Sequence, residues 1–292
     1  MVIHGEGGTG KSVLLQTISR YFETKGIGHR LKKTTYTGKC SQSRTNHYLI
    51  DLNVGIAASL IDGQTCHSAT MMTHRNSSVS AAARAKLQDI WKNIDYNFTD
   101  EISMIGKRFF AHMSNNISIG KTGQEGTNMS FGGISFVVSG DFFQFPPVAC
   151  SPKEALYWPS DTAHDLLLSQ IGRTIYEEFT TVVTLKQQMR VTDSMWQEFL
   201  HRLRYGEIVQ EDMDLLRSLV LTLPETQLPN FDVEPWKDVV LVTPRHGVRE
   251  EWNNALIKRH CKTNHHQLLI SPIHYEIKGA AIRSETSFDI NY

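Results

Sequence analysis

Residues Gly5 to Ser12 read Gly-Glu-Gly-Gly-Thr-Gly-Lys-Ser, a complete phosphate-loop pattern of two glycines, a lysine and a Ser/Thr at fixed spacing. At average composition such a string arises by chance in roughly one per cent of chains of this size. Its flanks are equally constraining. Met1-Val-Ile-His4 predicts a short apolar strand, and Ser12 to Phe22 carries apolar residues at helical spacing. A strand, a Gly-rich turn and a helix in that order gather backbone N–H groups and a helix N-terminus around a polyphosphate. Gly5, Gly7, Gly8, Thr9 and Gly10 would form the cradle. Lys11 would reach the β- and γ-phosphates of a nucleotide such as ATP, and Ser12 would hold Mg²⁺.

With 292 residues, the chain has room for one large or two ordinary domains. A hydrophobic content of 40% supplies real cores. Lysine plus arginine equals aspartate plus glutamate, which disfavours a strongly basic nucleic-acid wrapper but leaves room for a local basic groove. Cys40, Cys66, Cys150 and Cys261 are scattered without paired spacing, as expected of reduced thiols in an intracellular protein. His260, Cys261, His265 and His266 match no familiar metal-site spacing. No apolar run approaches a membrane span, and no targeting signal is expected, since Met1 leads straight into the first strand.

Along the chain, strands alternate with helices. A basic, turn-rich stretch covers 25–46, and a helix is expected near 79–94. Another is expected over 102–113, then a Gly/Ser/Asn loop over 114–130. Strands are expected at 134–139, 181–185 and 239–243, with helices near 194–205, 210–219 and 248–260. The pattern predicts an α/β fold: a doubly wound parallel sheet of the RecA-like, P-loop type over 1–180, and a partial second RecA-like domain over 181–292.

Three further clusters carry chemistry. Asp100-Glu101 follows a candidate strand, although Tyr96-Asn-Phe-Thr99 is less apolar than a buried strand should be. Asp100 would hold the metal, and Glu101 would accept a proton from an attacking water. In Phe131 to Val148, an apolar strand ends at Gly140-Asp141, with Gln144 and Pro146-Pro147 beyond. An amide just past a strand end can report the γ-phosphate, although the same string also reads as a strand with a Pro-rich turn. In Leu185-Lys-Gln-Gln-Met-Arg190, Arg190 is either a finger presented to the phosphates by a second lobe or a plain surface charge. Leu203-Arg-Tyr-Gly206 follows.

In their order these strings resemble the petite-integration-frequency helicases of superfamily 1B, over roughly residues 1–260. The resemblance implies ATP-driven 5′-to-3′ translocation on single-stranded DNA. It also implies unwinding at duplex junctions, with roles in repair, recombination and telomere maintenance, by a monomer of the nucleus or mitochondrion. By the same resemblance, Gly10, Lys11 and Ser12 bind phosphate and magnesium, and Asp100 and Glu101 form the hydrolysis pair. Gln144 couples nucleotide to DNA, and Arg190 is the finger. Thr37, Ala57, Thr65 and His67 line the DNA path.

Departures from the family pattern matter too. The family's adenine-reading glutamine motif has no counterpart before Met1, and its late Thr-x-His-Lys-x-Gln-Gly motif and final arginine have none before Tyr292. The chain is therefore expected to be a fragment that binds Mg-ATP weakly and unwinds DNA poorly. A degenerate relic that binds nucleotide without motor activity is the second reading, and an unrelated small-molecule kinase the third. Val54 stands where the family's Thr-Gly-x-Ala-Ala motif has threonine, while Tyr36-Thr-Gly38 lies upstream without its alanines. Removing 39–55 joins Thr37-Gly38 to Ile56-Ala57-Ala58 and restores the motif. Gly38-Lys39-Cys40 can be encoded with a GTAAGT splice donor, so 39–55 reads as an intron translated in frame, with a surface-loop insertion as the alternative. Transcripts lacking the segment are expected. A gene without a GT donor near codon 39 would refute this.

Overall fold

The computed structural model describes residues 1–36, 61, 63–72, 79–223, 229–231, 233–234, 236–237 and 239–269, and the backbone of short strands at 276–277 and 280–281. The chain divides into two compact units, Met1–Met213 and Asp214–Tyr292.

In the first unit, β1 (Val2–Gly5) leads into α1 (Lys11–Thr24) and β2 (Leu31–Thr35). Next come β3 (Gln64–Thr65) with the single turn α2 (Cys66–Ala69), then α3 (Ala81–Trp91) and β4 (Tyr96–Asp100). α4 (Lys107–Gly120), β5 (Ser135–Gly140), α5 (Leu167–Glu177), β6 (Val182–Leu185) and α6 (Ser194–Tyr205) follow. The strands form one six-stranded parallel sheet in the order β3-β2-β4-β5-β1-β6. Every strand therefore points its carboxyl end the same way. The register sets His4 beside Gly140, Gly5 beside Leu185 and Thr35 beside Asp100. In an open parallel sheet that edge is where ligands bind.

Both faces of the sheet are covered over β1, β4 and β5, as parallel pairing requires, while the edge strand β6 is largely exposed. Alternation along the strands sends Ile3 and Phe98 to one face, where Leu15, Ile18 and Phe22 of α1 pack. It sends Val2, Phe136 and Val138 to the other, against Leu87, Trp91, Phe110, Met113 and Ile117. Trp91 is fully buried, and its indole N–H donates to the Ala69 carbonyl at 2.9 Å. Gly120 allows that fit, since a Cβ there would lie 2.8 Å from the Trp91 Cβ.

The polar β4 is a buried strand after all. Much of its hydrophilic face is paired within the protein, the buried Asn97 Oδ1 excepted: the Thr34 and Thr99 hydroxyls are 2.9 Å apart, and Asn97 Nδ2 donates to Thr99 Oγ1 at 2.8 Å and to Thr34 Oγ1 at 3.3 Å. These residues are fully buried, so their partners offset the desolvation that a polar core face would otherwise suffer. Asn97→Ala is expected to cost ~1–3 kcal/mol by leaving buried hydroxyls short of a donor. Urea unfolding of the two proteins checks it.

Several boundaries differ from the sequence reading. The helix expected to end at Met113 runs on to Gly120, so the expected loop starts late. Ser114 and Asn116 look loop-like, but both are buried and bonded inside: Ser114 Oγ accepts the Phe131 N–H at 2.8 Å, and Asn116 Nδ2 donates to the Thr70 carbonyl at 2.9 Å. Ile102–Met104 form a separate 3₁₀ turn ahead of the helix. β6 pairs with β1, so the first sheet extends past residue 180, where the second domain was expected to open.

α7 (Gln210–Ser218) spans the division between the units. In the second unit, α8 (His246–Thr263) forms, slightly longer than expected. Residues 239–243 form no strand: Val240 and Val242 are 80% and 93% exposed, and among the described residues no ladder partner pairs with them. A β pattern without a neighbouring edge has nothing to complete its hydrogen bonds. The antiparallel pair β7 (Glu276–Ile277) and β8 (Ala280–Ala281) is the sheet among this unit's described residues. No helix in the described residues is long and apolar enough to cross a membrane.

Candidate active site

The loop from β1 to α1 turns on two left-handed glycines, Gly8 at φ 93° and Gly10 at φ 90°. Gly10 is the N-cap of α1 and offers no side chain, so no cap side chain competes for the first-turn N–H groups. The loop closes on itself through Thr9, whose hydroxyl donates to the Glu6 carbonyl at 2.8 Å. Lys11 Nζ donates to the carbonyls of Gly5 and Glu6 at 2.8 and 2.9 Å. Burial lowers the Lys11 pKa, against the opposing charges of Asp141, Asp100 and Glu101.

Two segments brace this loop. After β6, Gln188 Nε2 donates to the Gly7 carbonyl and the Met189 N–H to the Gly8 carbonyl, both at 2.9 Å. A Cβ on Gly8 would collide with Gln188 and lie 2.9 Å from the Arg190 Cβ. After β5, the Gln144 amide nitrogen sits 2.9 Å from where a Gly7 Cβ would be. Gly5 faces Thr9 and the Leu185 carbonyl just as closely.

At the end of β4, Asp100 Oδ1 accepts from the Ser139 hydroxyl and, at 3.0 Å, from the Glu101 N–H. Glu101 itself is left-handed, at φ 59° and ψ 44°, an uncommon conformation for a residue with a Cβ. It turns the carboxylate out of the strand line. Burial, and then the Asp100 charge, raise the Glu101 pKa above the ordinary glutamate value of 4.5. A carboxyl group shifted that way is suited to accepting a proton.

Gly7, Gly8, Gly10, Lys11, Ser12, Asp100, Glu101, Gln144 and Arg190 line one cleft of about 380 Å³. Residues scattered from position 7 to 190 thus meet at the carboxyl edge of the sheet. The Ser12 hydroxyl and Asp100 carboxylate supply oxygen ligands only, which suits a hard divalent cation such as Mg²⁺. Arg190 differs from its expected setting: it follows β6 in the same unit as the phosphate loop, not in a second lobe.

The expected DNA-path residues lie elsewhere. Thr65 is the N-cap of α2, its hydroxyl accepting the Ser68 N–H at 3.1 Å. His67 is half-buried between Tyr36 and Phe109, with ring centres at 5.5 and 4.7 Å. Thr37 and Ala57 fall outside the described residues, as does the whole 39–55 segment.

Sequence reasoning passed over a pair beside the cleft. Arg204 of α6 clamps the Asp141 carboxylate with bonds of 2.6 and 2.7 Å. Burial alone would raise the Asp141 pKa, but the Arg204 hydrogen bonds, the Phe143 N–H and the charges of Arg204 and Lys11 together outweigh it and hold it low. Both residues stood in noticed strings. Nothing local couples positions so far apart.

A parallel sheet with the phosphate loop at the end of β1, an acidic pair two strands away at the end of β4 and Gln144 on the turn after the strand between them define a RecA-like P-loop NTPase fold. The profile of the PIF1-like helicase family matches residues 1–211, and the chain belongs to that family. Among curated relatives, the ATP-dependent DNA helicase RRM3 of Saccharomyces cerevisiae is 25% identical over 87% of this chain and 30% of its own length. The ATP-dependent DNA helicase PIF1 of Xenopus laevis is 25% identical over 77% of this chain and 33% of its own. The chain thus spans about a third of the length of these relatives. The crystal structure of Pif1 helicase from Candida albicans superposes with a TM-score of 0.55 at 27% identity, over 77% of this chain and 45% of that one. Pif1 helicase from Bacteroides, in complex with ADP-AlF3 and ssDNA, shares the fold with a TM-score of 0.57 at 17% identity, over 88% and 52%.

Proposed function

We propose that this chain carries the ATP-hydrolysing core of a DNA helicase that couples Mg-ATP turnover to 5′-to-3′ movement along single-stranded DNA. The observation that carries the reading is the single cleft shared by Lys11, Ser12, Asp100, Glu101, Gln144 and Arg190. The loop N–H groups and Lys11 bind the phosphates and neutralise their charge. Glu101 orients the attacking water and takes its proton. Magnesium, held by Ser12 and Asp100, would supply charge neutralisation on the β- and γ-oxygens. Gln144, on the turn after β5, senses the γ-phosphate, and Arg190 stabilises the charge that builds on it. Thr65 and His67 sit at the carboxyl end of β3, on the sheet edge where a strand of DNA would pass. Repair, recombination and telomere maintenance are the settings that the family resemblance suggests for the protein.

The test is ATP turnover by the purified chain with and without single-stranded DNA, alongside equilibrium binding of Mg-ATP. Turnover that rises with DNA is the expected result. Binding without turnover, with or without DNA, would replace the motor reading with that of a nucleotide-binding relic. Absence of both would end the nucleotide reading altogether.

A further inference from the structure

Arg204 joins three parts of the site without lining the nucleotide cleft itself. Its guanidinium grips Asp141, which is 1% exposed, through a two-pronged pair. Asp141 in turn shapes the turn that carries Gln144. Its carboxylate accepts the Phe143 N–H at 3.1 Å, and its carbonyl accepts the Gln144 N–H at 3.0 Å. The same guanidinium lies 4.2 Å from the centre of the Phe143 ring, and its Nε is 3.5 Å from Glu6 Oε1 in the phosphate loop. Arg204 stands in the last turn of α6, the helix that starts four residues after Arg190 and is capped there by Asp193. One side chain therefore ties the γ-phosphate sensor turn, the phosphate loop and the helix beyond the finger into a single mechanical unit. A planar fork is suited to this role, because it fixes both distance and plane at once while stacking on an aromatic ring.

Resting on the nucleotide-site reading above, we propose that Arg204 is a positioning residue that transmits nucleotide occupancy from Gln144 and Glu6 to α6. It acts through Asp141 and does not touch the nucleotide.

The experiment is hydrogen exchange on the full chain with and without Mg-ATPγS, comparing wild type, Arg204→Lys and Asp141→Asn, with ATP kinetics where turnover is present. In wild type, Mg-ATPγS is expected to protect residues 5–12, 141–148 and 194–205. In Arg204→Lys, protection of 5–12 is expected to persist while that of 194–205 is lost. Asp141→Asn, nearly equal in shape, is expected to do the same, and it serves if the lysine variant folds poorly. The lysine change should lower kcat, by up to about 10²-fold for a displacement near 1 Å, with KM for ATP held. It should add nothing further in a Gln144→Ala background, because residues acting through one another are not additive. A purely structural role would instead weaken protection everywhere and add its effect to that of Gln144→Ala. Nucleotide protection of 194–205 that survives in both variants overturns the proposal while leaving the nucleotide site intact. Absence of protection at 5–12 in wild type overturns the nucleotide reading and the proposal together.

Discussion

Glu101→Gln is expected to reduce ATP turnover by ~10²–10⁴-fold, the usual contribution of a positioned general base, while Mg-ATP still binds. The glutamine keeps the shape of the side chain and the left-handed backbone that turns it into the cleft, but it cannot take a proton. Lys11→Ala should behave differently. It removes the ammonium that reaches across the loop to Gly5 and Glu6, so nucleotide affinity falls along with turnover. Measuring binding and turnover in both variants separates the two roles. Equal loss of affinity in both would mean that Glu101 grips nucleotide and does not act as the base. The pH profile gives an independent check. The Glu101 pKa is raised above 4.5 in the folded protein, so its protonated form is the one folding favours. That contribution to stability is complete below pH 4.5 and is lost as pH rises through the raised value. Turnover needs the ionised form. The acid limb of the rate profile should therefore follow the ionisation of Glu101 and disappear in the glutamine variant.

Trp91→Ala is expected to cost ~3–5 kcal/mol, most of what a domain of this kind has to spare. The indole is fully buried among Leu87, Ile117 and their neighbours, and Gly120 is pressed against it. The surroundings are a rigid sheet and two helices, which can close only part of the space left behind. The Ala69 carbonyl also loses its indole donor at 2.9 Å. Since Ala69 lies in α2, directly after Thr65, the loss should loosen the turn that holds Thr65 and His67 as well. Chemical unfolding measures the first effect, and exchange of the 64–72 amides the second. A loss under ~1 kcal/mol would mean that the core relaxes far more than its packing suggests.

By itself the sequence determined the phosphate loop and its strand–turn–helix setting, because fixed spacing of glycines, lysine and serine is a local property. It also determined the helix at 194–205, for which periodicity suffices, and offered the acidic pair and the glutamine beyond β5 as candidates that the fold brings to one cleft. Its failures were also physical. Ser114, Asn116, Asn97 and Thr99 look like surface residues until their partners are known, and those partners include Phe131, Thr70 and Thr34 from other segments. Val239–Thr243 looks like a strand, yet a strand exists only where another edge receives it. Tertiary structure alone decided that β6 closes the first sheet, that Arg190 stands beside Gly8, and that Arg204 reaches back to Asp141. Local pattern is set by short-range sterics and burial. Which distant charge finds which carboxylate depends on how the sheet is wound.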